Sequence, residues 1–237
     1  MGRLAATPPS QPDVLSPLQE QIAEIIAGLD EAEDFALAGG AALIARGDVR
    51  RQTRDLDFFG LTAAAVDRLV PAVDRALRAA GLVVHHVQES SGFARLVVES
   101  ADDRTEVDLA ADARLYRAER GRLATMLTGE ELAVDKVLAL FGRAEARDFV
   151  DLMAVEPRYG LDRLCQLAAD KDRGFSPAVF AEMLAGFRRL RRDEFDLDDA
   201  QYERLAREVE RWREFAVKLG HRREPGQGRD ARPEYEV

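Results

Sequence analysis

LAGGAALIARGDVRRQTRDLDFF, residues 37–59, is the stretch on which the fold turns. A short apolar run, FALA (35–38), ends at Gly39-Gly40, and AALIARG after it reads as a short helix with Gly47 as its stop. LDFFG (56–60) reads as a strand. Side chains at i and i+2 of a strand share a face, so Asp55 and Asp57 at its start present two carboxylates side by side. Two such anions repel unless a cation or proton lies between them. A divalent metal suits that position, since two carboxylates and phosphate oxygens complete magnesium's octahedral oxygen shell. The glycine pair admits close backbone approach to a phosphate, and the helix start behind it favours an anion. Arg46, Arg50, Arg51 and Arg54 between the two elements are candidate phosphate grips, although each alone reads first as solvated charge. Thr53 is placed to hydrogen-bond a phosphate or a carboxylate, and serves equally well as a loop hydroxyl.

An Asp-x-Asp by itself is weak in a chain of net charge -10. Asp170-Lys-Asp172 and Asp196-Leu-Asp198 repeat the spacing in polar stretches between helices, where solvation or helix capping accounts for them. The pair at 55 and 57 differs because a strand, a Gly-Gly turn and a helix precede it. A two-metal clamp needs a third carboxylate from a neighbouring strand. RTEVDLA (104–110) offers Asp108 between Val107 and Leu109, with Glu106 on the same face as runner-up.

Outward from this centre, Leu18, Ile22, Ile25, Ile26 and Leu29 recur at helical spacing and predict a helix over about 14–29. Thr62 reads as the N-cap of a helix running to about Ala80. LVVHHVQE, FARLVVES and RTEVDLA read as three strands joined by turns. From Gly129 helical patterns follow at about 129–142, 145–155, 160–170, 176–191 and 198–219. Were 131–152 one helix, Lys136, Arg143, Arg147 and Asp151 would share a stripe flanked by Asp148. Gly142 is a possible break, and an i, i+4 pair between Arg147 and Asp151 is the plain structural alternative.

Composition narrows the function classes. Hydrophobic residues at 46% and charged residues at 33% describe a soluble globular chain, and no apolar run reaches the roughly 18 residues of a membrane span. The N-terminus does not read as a signal peptide, and the single cysteine, Cys165 in a helical apolar pattern, fits a reducing, cytoplasmic setting as a buried thiol. Three histidines without ligand spacing argue against zinc, which leaves carboxylate-held magnesium or manganese. The acidic net charge argues against a surface coated for a long polyanion but tolerates a short basic groove. Of 34 basic residues only Lys136, Lys171 and Lys218 are lysines, so each merits attention.

These residues resemble the minimal nucleotidyltransferase superfamily, and within it the AbiEii toxin family, through residues 37–59, EVDLA (106–110) and ELAVDKVLALFGRAEARDFVDL (131–152). The resemblance implies an α+β fold: a mixed sheet flanked by helices like the polymerase β core, then a helical C-terminal domain. It implies Asp55 and Asp57 as metal ligands and Lys136 and Asp148 as further active-site residues. Many members of the superfamily carry Gly-Ser where this chain has Gly39-Gly40, so no hydroxyl is offered there. Lys136 would neutralise triphosphate charge, while Asp148 or Asp151 would orient a cation or accept the attacking hydroxyl's proton.

The expectation is a catalytic domain over 13–125, a helical domain over 126–220 completing the site, and flexible tails at 1–12 and 221–237. The expected activity is Mg2+- or Mn2+-dependent transfer of a nucleoside monophosphate from an NTP to a hydroxyl. Asp55, Asp57 and Asp108 would hold metal; Gly39, Gly40, Thr53, Arg54 and Lys136 would hold nucleotide. The family's toxins imply a tRNA 3′ end as acceptor and an antitoxin protein as partner. Arg188, Arg189, Arg191 and Arg192 are candidates for a basic groove, with a solvated helix end as equal account. The rivals are transfer to a small molecule or a protein, and a regulatory module that binds NTP or metal without turnover.

Overall fold

The structure is a computed structural model that describes residues 15–222. Ser16 caps the first helix, α1 (Pro17–Ala27): its hydroxyl accepts from Gln19 N–H while the Gln19 side chain returns to the Ser16 backbone. The helix buries Leu18, Ile22, Ala23 and Ile26, the apolar stripe its spacing predicts. A 3-10 turn at Asp30–Ala32 leads to β1 (Ala36–Ala38), α2 (Gly39–Ala45) and β2 (Asp55–Gly60). Then come α3 (Ala63–Ala79), β3 (Val83–Ser90), β4 (Phe93–Glu99) and β5 (Arg104–Ala111). Two strands of two residues, β6 (Glu119–Arg120) and β7 (Thr125–Met126), follow, and five helices complete the described chain. These are α4 (Gly129–Gly142), α5 (Ala146–Tyr159), α6 (Leu161–Lys171), α7 (Pro177–Ala185) and α8 (Asp199–Arg222).

Among the described residues the strands make one mixed sheet of seven, in the order β3-β4-β5-β2-β1-β7-β6. β2 lies between antiparallel β1 and parallel β5, at the sheet centre. Leu56, Phe58, Val107 and Leu109 alternate onto the face covered by α1 and α3 and are buried. Asp55, Asp57 and Asp108 alternate onto the other face, where α2 and α4 pack. Gln19 ties the back layer to the approach to β2: its side-chain amide donates to Thr53 O (3.0 Å) and Thr105 Oγ1 (3.2 Å).

Several boundaries depart from the sequence reading. β6 and β7 are too short to show alternation, and only their pairing reveals them. α5 runs through Pro157 to Tyr159, with Gly160 at φ +79° ending it. The helix expected over 176–191 stops at Ala185 and continues as a 3-10 turn, Gly186–Arg189. The two expected tails, 1–12 and 221–237, lie outside the described residues apart from the end of α8. Cys165 is fully buried, as its apolar pattern predicts.

The chain breaks where Gly142 offers, and the helical patterns at about 129–142 and 145–155 form as two helices. α4 ends at Gly142, Ala144 takes φ +52°, and α5 starts at Ala146. The chain doubles back, so the common stripe gives way to a corner whose two helices face each other. The Arg147–Asp151 pair is absent among the described residues although both lie on α5: Arg147 reaches Asp55, and Asp151 is taken by Arg51 and Lys136.

Candidate active site

A cavity of about 340 Å3 opens between the carboxylate face of the sheet and helix α4. Its lining includes Gly39 and Gly40, Asp55 and Asp57, Asp108, and the cations Arg51, Arg95, Lys136, Arg143 and Arg147. Residues from the sheet and from the helical half meet here. The parallel register of β2 and β5 sets Asp57 opposite Asp108 and Asp55 opposite Glu106. Of the two candidates for a third carboxylate, Asp108 lines the cavity and Glu106 does not.

The two aspartates of β2 are electrostatically unlike. Burial works to raise the Asp55 pKa, but the Thr53 hydroxyl (2.6 Å) and the Arg147 guanidinium (2.7 Å) outweigh it and hold Asp55 below the usual range. Thr53 thus serves a carboxylate. Asp57 has no ion-pair partner among the described residues; burial first, then the charges of Asp55 and Asp108, push its pKa up to about 7. Its carboxylate lies directly on Gly39, where a Cβ would stand 1.9 Å from Oδ2. Gly39 also has φ +59°, which costs other L-residues about 1–2 kcal/mol. Gly39→Ala is accordingly expected to lower stability by at least about 1 kcal/mol and to dislodge Asp57. Urea melts and an activity assay would check this; a variant as stable and active as the parent would refute it.

Asp108 is gripped by Arg95, which donates through Nε (2.8 Å) and Nη2 (2.6 Å) and lies 3.7 Å from Glu106. Among the described residues no three Asp, Glu, His or Cys side chains form a ready-made metal site. The Asp55–Asp57 pair nevertheless fits a hard divalent cation. Asp57 is short of positive charge, and phosphate oxygens and water would complete a magnesium shell. Asp108 would join such a shell only by exchanging its arginine.

Lys136 is 6% exposed at its side chain and lies 2.9 Å from Asp151 and 3.3 Å from Asp148, both fully buried. Burial would lower the Lys136 pKa, but Asp151 and Asp148 reverse this and raise it, so the ammonium stays charged. Asp151 also takes two bonds of 2.7 Å from Arg51, and Lys136 and Arg51 together hold its pKa below the usual range against burial. Asp148 accepts from Arg143 at 3.0 and 3.1 Å. Neither acid is in the cavity lining; each holds cations that are, Asp151 through Arg51 and Lys136 and Asp148 through Lys136 and Arg143.

Arg54, expected at the nucleotide, is exposed and outside the cavity lining; Arg51 stands there instead. Arg46 pairs with Asp48 and Glu119. The arginine cluster after α7 lies apart from this cavity: Arg191 pairs with Asp193, and Arg192 stacks on Tyr202 and donates to the Phe195 and Leu197 carbonyls. Sequence reasoning missed Arg95, whose signal is a single arginine in the alternating apolar strand β4. It also missed the group at the far end of the cavity, where Lys171 lies 3.0 Å from Asp112, 3.2 Å from Glu131 and 2.5 Å from Asp135. The rarity of lysine in the chain is the one signal that marks that residue. Asp170 and Asp172 beside it are exposed, and Asp198 caps α8 by accepting from Gln201 N–H, as expected of the other Asp-x-Asp pairs.

Residues 23–230 match the model of the nucleotidyl transferase AbiEii toxin family, of a type IV toxin–antitoxin system. Among solved structures, JHP933 from Helicobacter pylori is similar with a TM-score of 0.53 at 18% identity, covering 88% of this chain and 95% of that one. A putative nucleotidyltransferase from H. pylori gives 0.51 at 19% identity, covering 87% and 96%. MenT4, a nucleotidyltransferase toxin from Mycobacterium tuberculosis, gives 0.56 at 18% identity, covering 86% and 91%. At these identities the structures speak for the fold. No curated protein matches the sequence.

Proposed function

The chain belongs to the AbiEii family of nucleotidyltransferase toxins, and on that premise we propose that it moves a nucleoside monophosphate from an NTP to a hydroxyl of RNA, the 3′ end of tRNA being the leading acceptor. The observation that carries this reading is the pairing, in one cavity, of the Asp55–Asp57 ledge with four cations from two parts of the chain: Arg51, Lys136, Arg143 and Arg147. Carboxylates alone would repel a triphosphate, and cations alone would bind any anion. Together they suit a metal-bound polyphosphate. Magnesium or manganese held by Asp55 and Asp57, with Asp108 as third ligand, would neutralise the phosphates and favour the attacking oxygen.

The acceptor oxygen bonds to the α-phosphorus, the bond toward the β-phosphorus breaks, pyrophosphate leaves, and the hydroxyl proton passes to solvent. Lys136, kept charged by Asp148 and Asp151, offsets charge on the departing pyrophosphate. Gly39 keeps the ledge open beneath it. No helix among the described residues is long and apolar enough to cross a membrane. An antitoxin protein is the partner that the family implies.

The test incubates the protein with each α-labelled NTP, magnesium and total tRNA, beside Asp55→Ala. Label on RNA from the parent protein alone is expected. Label absent from RNA but present on a protein or small molecule would replace the acceptor, and no label on any acceptor would end the enzymatic reading.

A further inference from the structure

The Gly39-Gly40 turn lacks the hydroxyl that a Gly-Ser turn would offer, and the structure shows what stands in that place. A Cβ on Gly40 would meet Arg51 Nη2 at 2.5 Å, Arg51 Cζ at 3.4 Å and Thr53 Oγ1 at 3.3 Å. The guanidinium thus lies where a side chain at position 40 would begin. It is held there: Nε and Nη2 each donate to Asp151 at 2.7 Å, and Nη1 donates to Gln52 O at 2.8 Å. A guanidinium has five N–H donors, and these bonds use three, leaving one on each terminal nitrogen. Arg51 lines the cavity with its side chain 14% exposed, so the guanidinium is largely covered yet reachable from the cavity. Its anchor, Asp151, also holds Lys136 at 2.9 Å.

We propose that Arg51 is the phosphate clamp of the glycine turn, taking the place of a hydroxyl at position 40, and that Asp151 aims Arg51 and Lys136 together. This rests on the nucleotidyl-transfer reading and adds a residue and a coupling to it. The glycine at 40 and the arginine at 51 form one device: the missing side chain makes room for the cation. The two remaining N–H groups suit the bidentate recognition of a phosphate that arginine favours and lysine, a point charge, does not. Asp151, touching no substrate, is a positioning residue.

The proposal predicts non-additive substitutions. Binding of magnesium tripolyphosphate, which carries no base or sugar, is measured by calorimetry on the full chain. Arg51→Ala is expected to weaken it roughly 10- to 100-fold, the worth of a charge-assisted hydrogen bond. Arg51→Lys should recover part of that loss. Gly40→Ser should weaken binding comparably by displacing the guanidinium, and the Gly40→Ser/Arg51→Ala double variant should be no worse than Arg51→Ala alone. Losses that add would overturn the coupling. If Gly40→Ser fails to fold, Arg51→Ala still decides: unchanged affinity with a lowered melting temperature makes Arg51 a structural partner of Asp151 and overturns the clamp alone. A parent protein that binds neither tripolyphosphate nor any NTP overturns the nucleotidyl-transfer reading, and the clamp with it.

Discussion

Asp57→Asn is expected to reduce the proposed nucleotidyl transfer at least about 1000-fold, since the metal ligand that Asp57 would supply on that reading supports several kcal/mol of transition-state stabilisation and each 1.4 kcal/mol is tenfold. The same change should flatten the pH dependence of stability in the metal-free protein. In the fold, burial and the charges of Asp55 and Asp108 raise the Asp57 pKa to about 7, while an unfolded aspartate titrates near about 3.9. Between those values the folded chain holds a proton that the unfolded chain has lost, so stability falls as pH rises through the window. Asparagine cannot titrate and removes that contribution. Urea melts in EDTA at pH 5 and pH 8 should therefore show a smaller loss for the variant than for the parent. Equal losses would mean that Asp57 is not the proton-holding carboxylate described above.

The largest effect on folding is expected from Asp151→Ala. Asp151 is fully buried and carries two bonds from Arg51 and a 2.9 Å contact with Lys136. Removing one partner of a buried ion pair costs about 3–5 kcal/mol, because the charges left behind are largely desolvated. Lys136 keeps Asp148, but Arg51 keeps only a carbonyl. The loss approaches the whole stability of an ordinary domain, about 5–15 kcal/mol. Asp151→Asn, which can still accept from Arg51, should recover part of it. A denaturation midpoint for Asp151→Ala within error of the parent would sink the network as a structural element.

What is legible in the sequence is local. Apolar periodicity places α1, the Thr62 cap places α3, LDFFG reads as β2, and the i, i+2 rule alone puts Asp55 and Asp57 on one face. What the sequence does not convey depends on partners far along the chain. Arg51 and Arg54 flank Thr53 in an irregular loop, so nothing nearby says which turns inward; Asp151, 100 residues later, decides it. Arg95 acquires its role from the antiparallel register that sets it against Asp108. Lys136, Asp148 and Asp151 stand out in the sequence, but only one continuous helix would set Lys136 and Asp151 on a stripe with Asp148 beside it, and the corner at Gly142–Ala144 is what turns them to face each other. β6 and β7, two residues each, have no pattern to read.

The span of these contacts also sets a timetable. Arg51 meets Asp151 across 100 positions and Asp55 meets Arg147 across 92. Contacts so remote in sequence are slow to close and cannot begin to form until their later member exists. A growing chain that has completed the sheet still lacks the corner that steadies Arg51 and Lys136. At roughly 5–20 residues per second, seconds of synthesis separate the ledge from its cations. On the proposed reading, a nascent or truncated chain that ends before α5 would lack the acids that hold Arg51 and Lys136, and transfer would wait for the second helix of the corner.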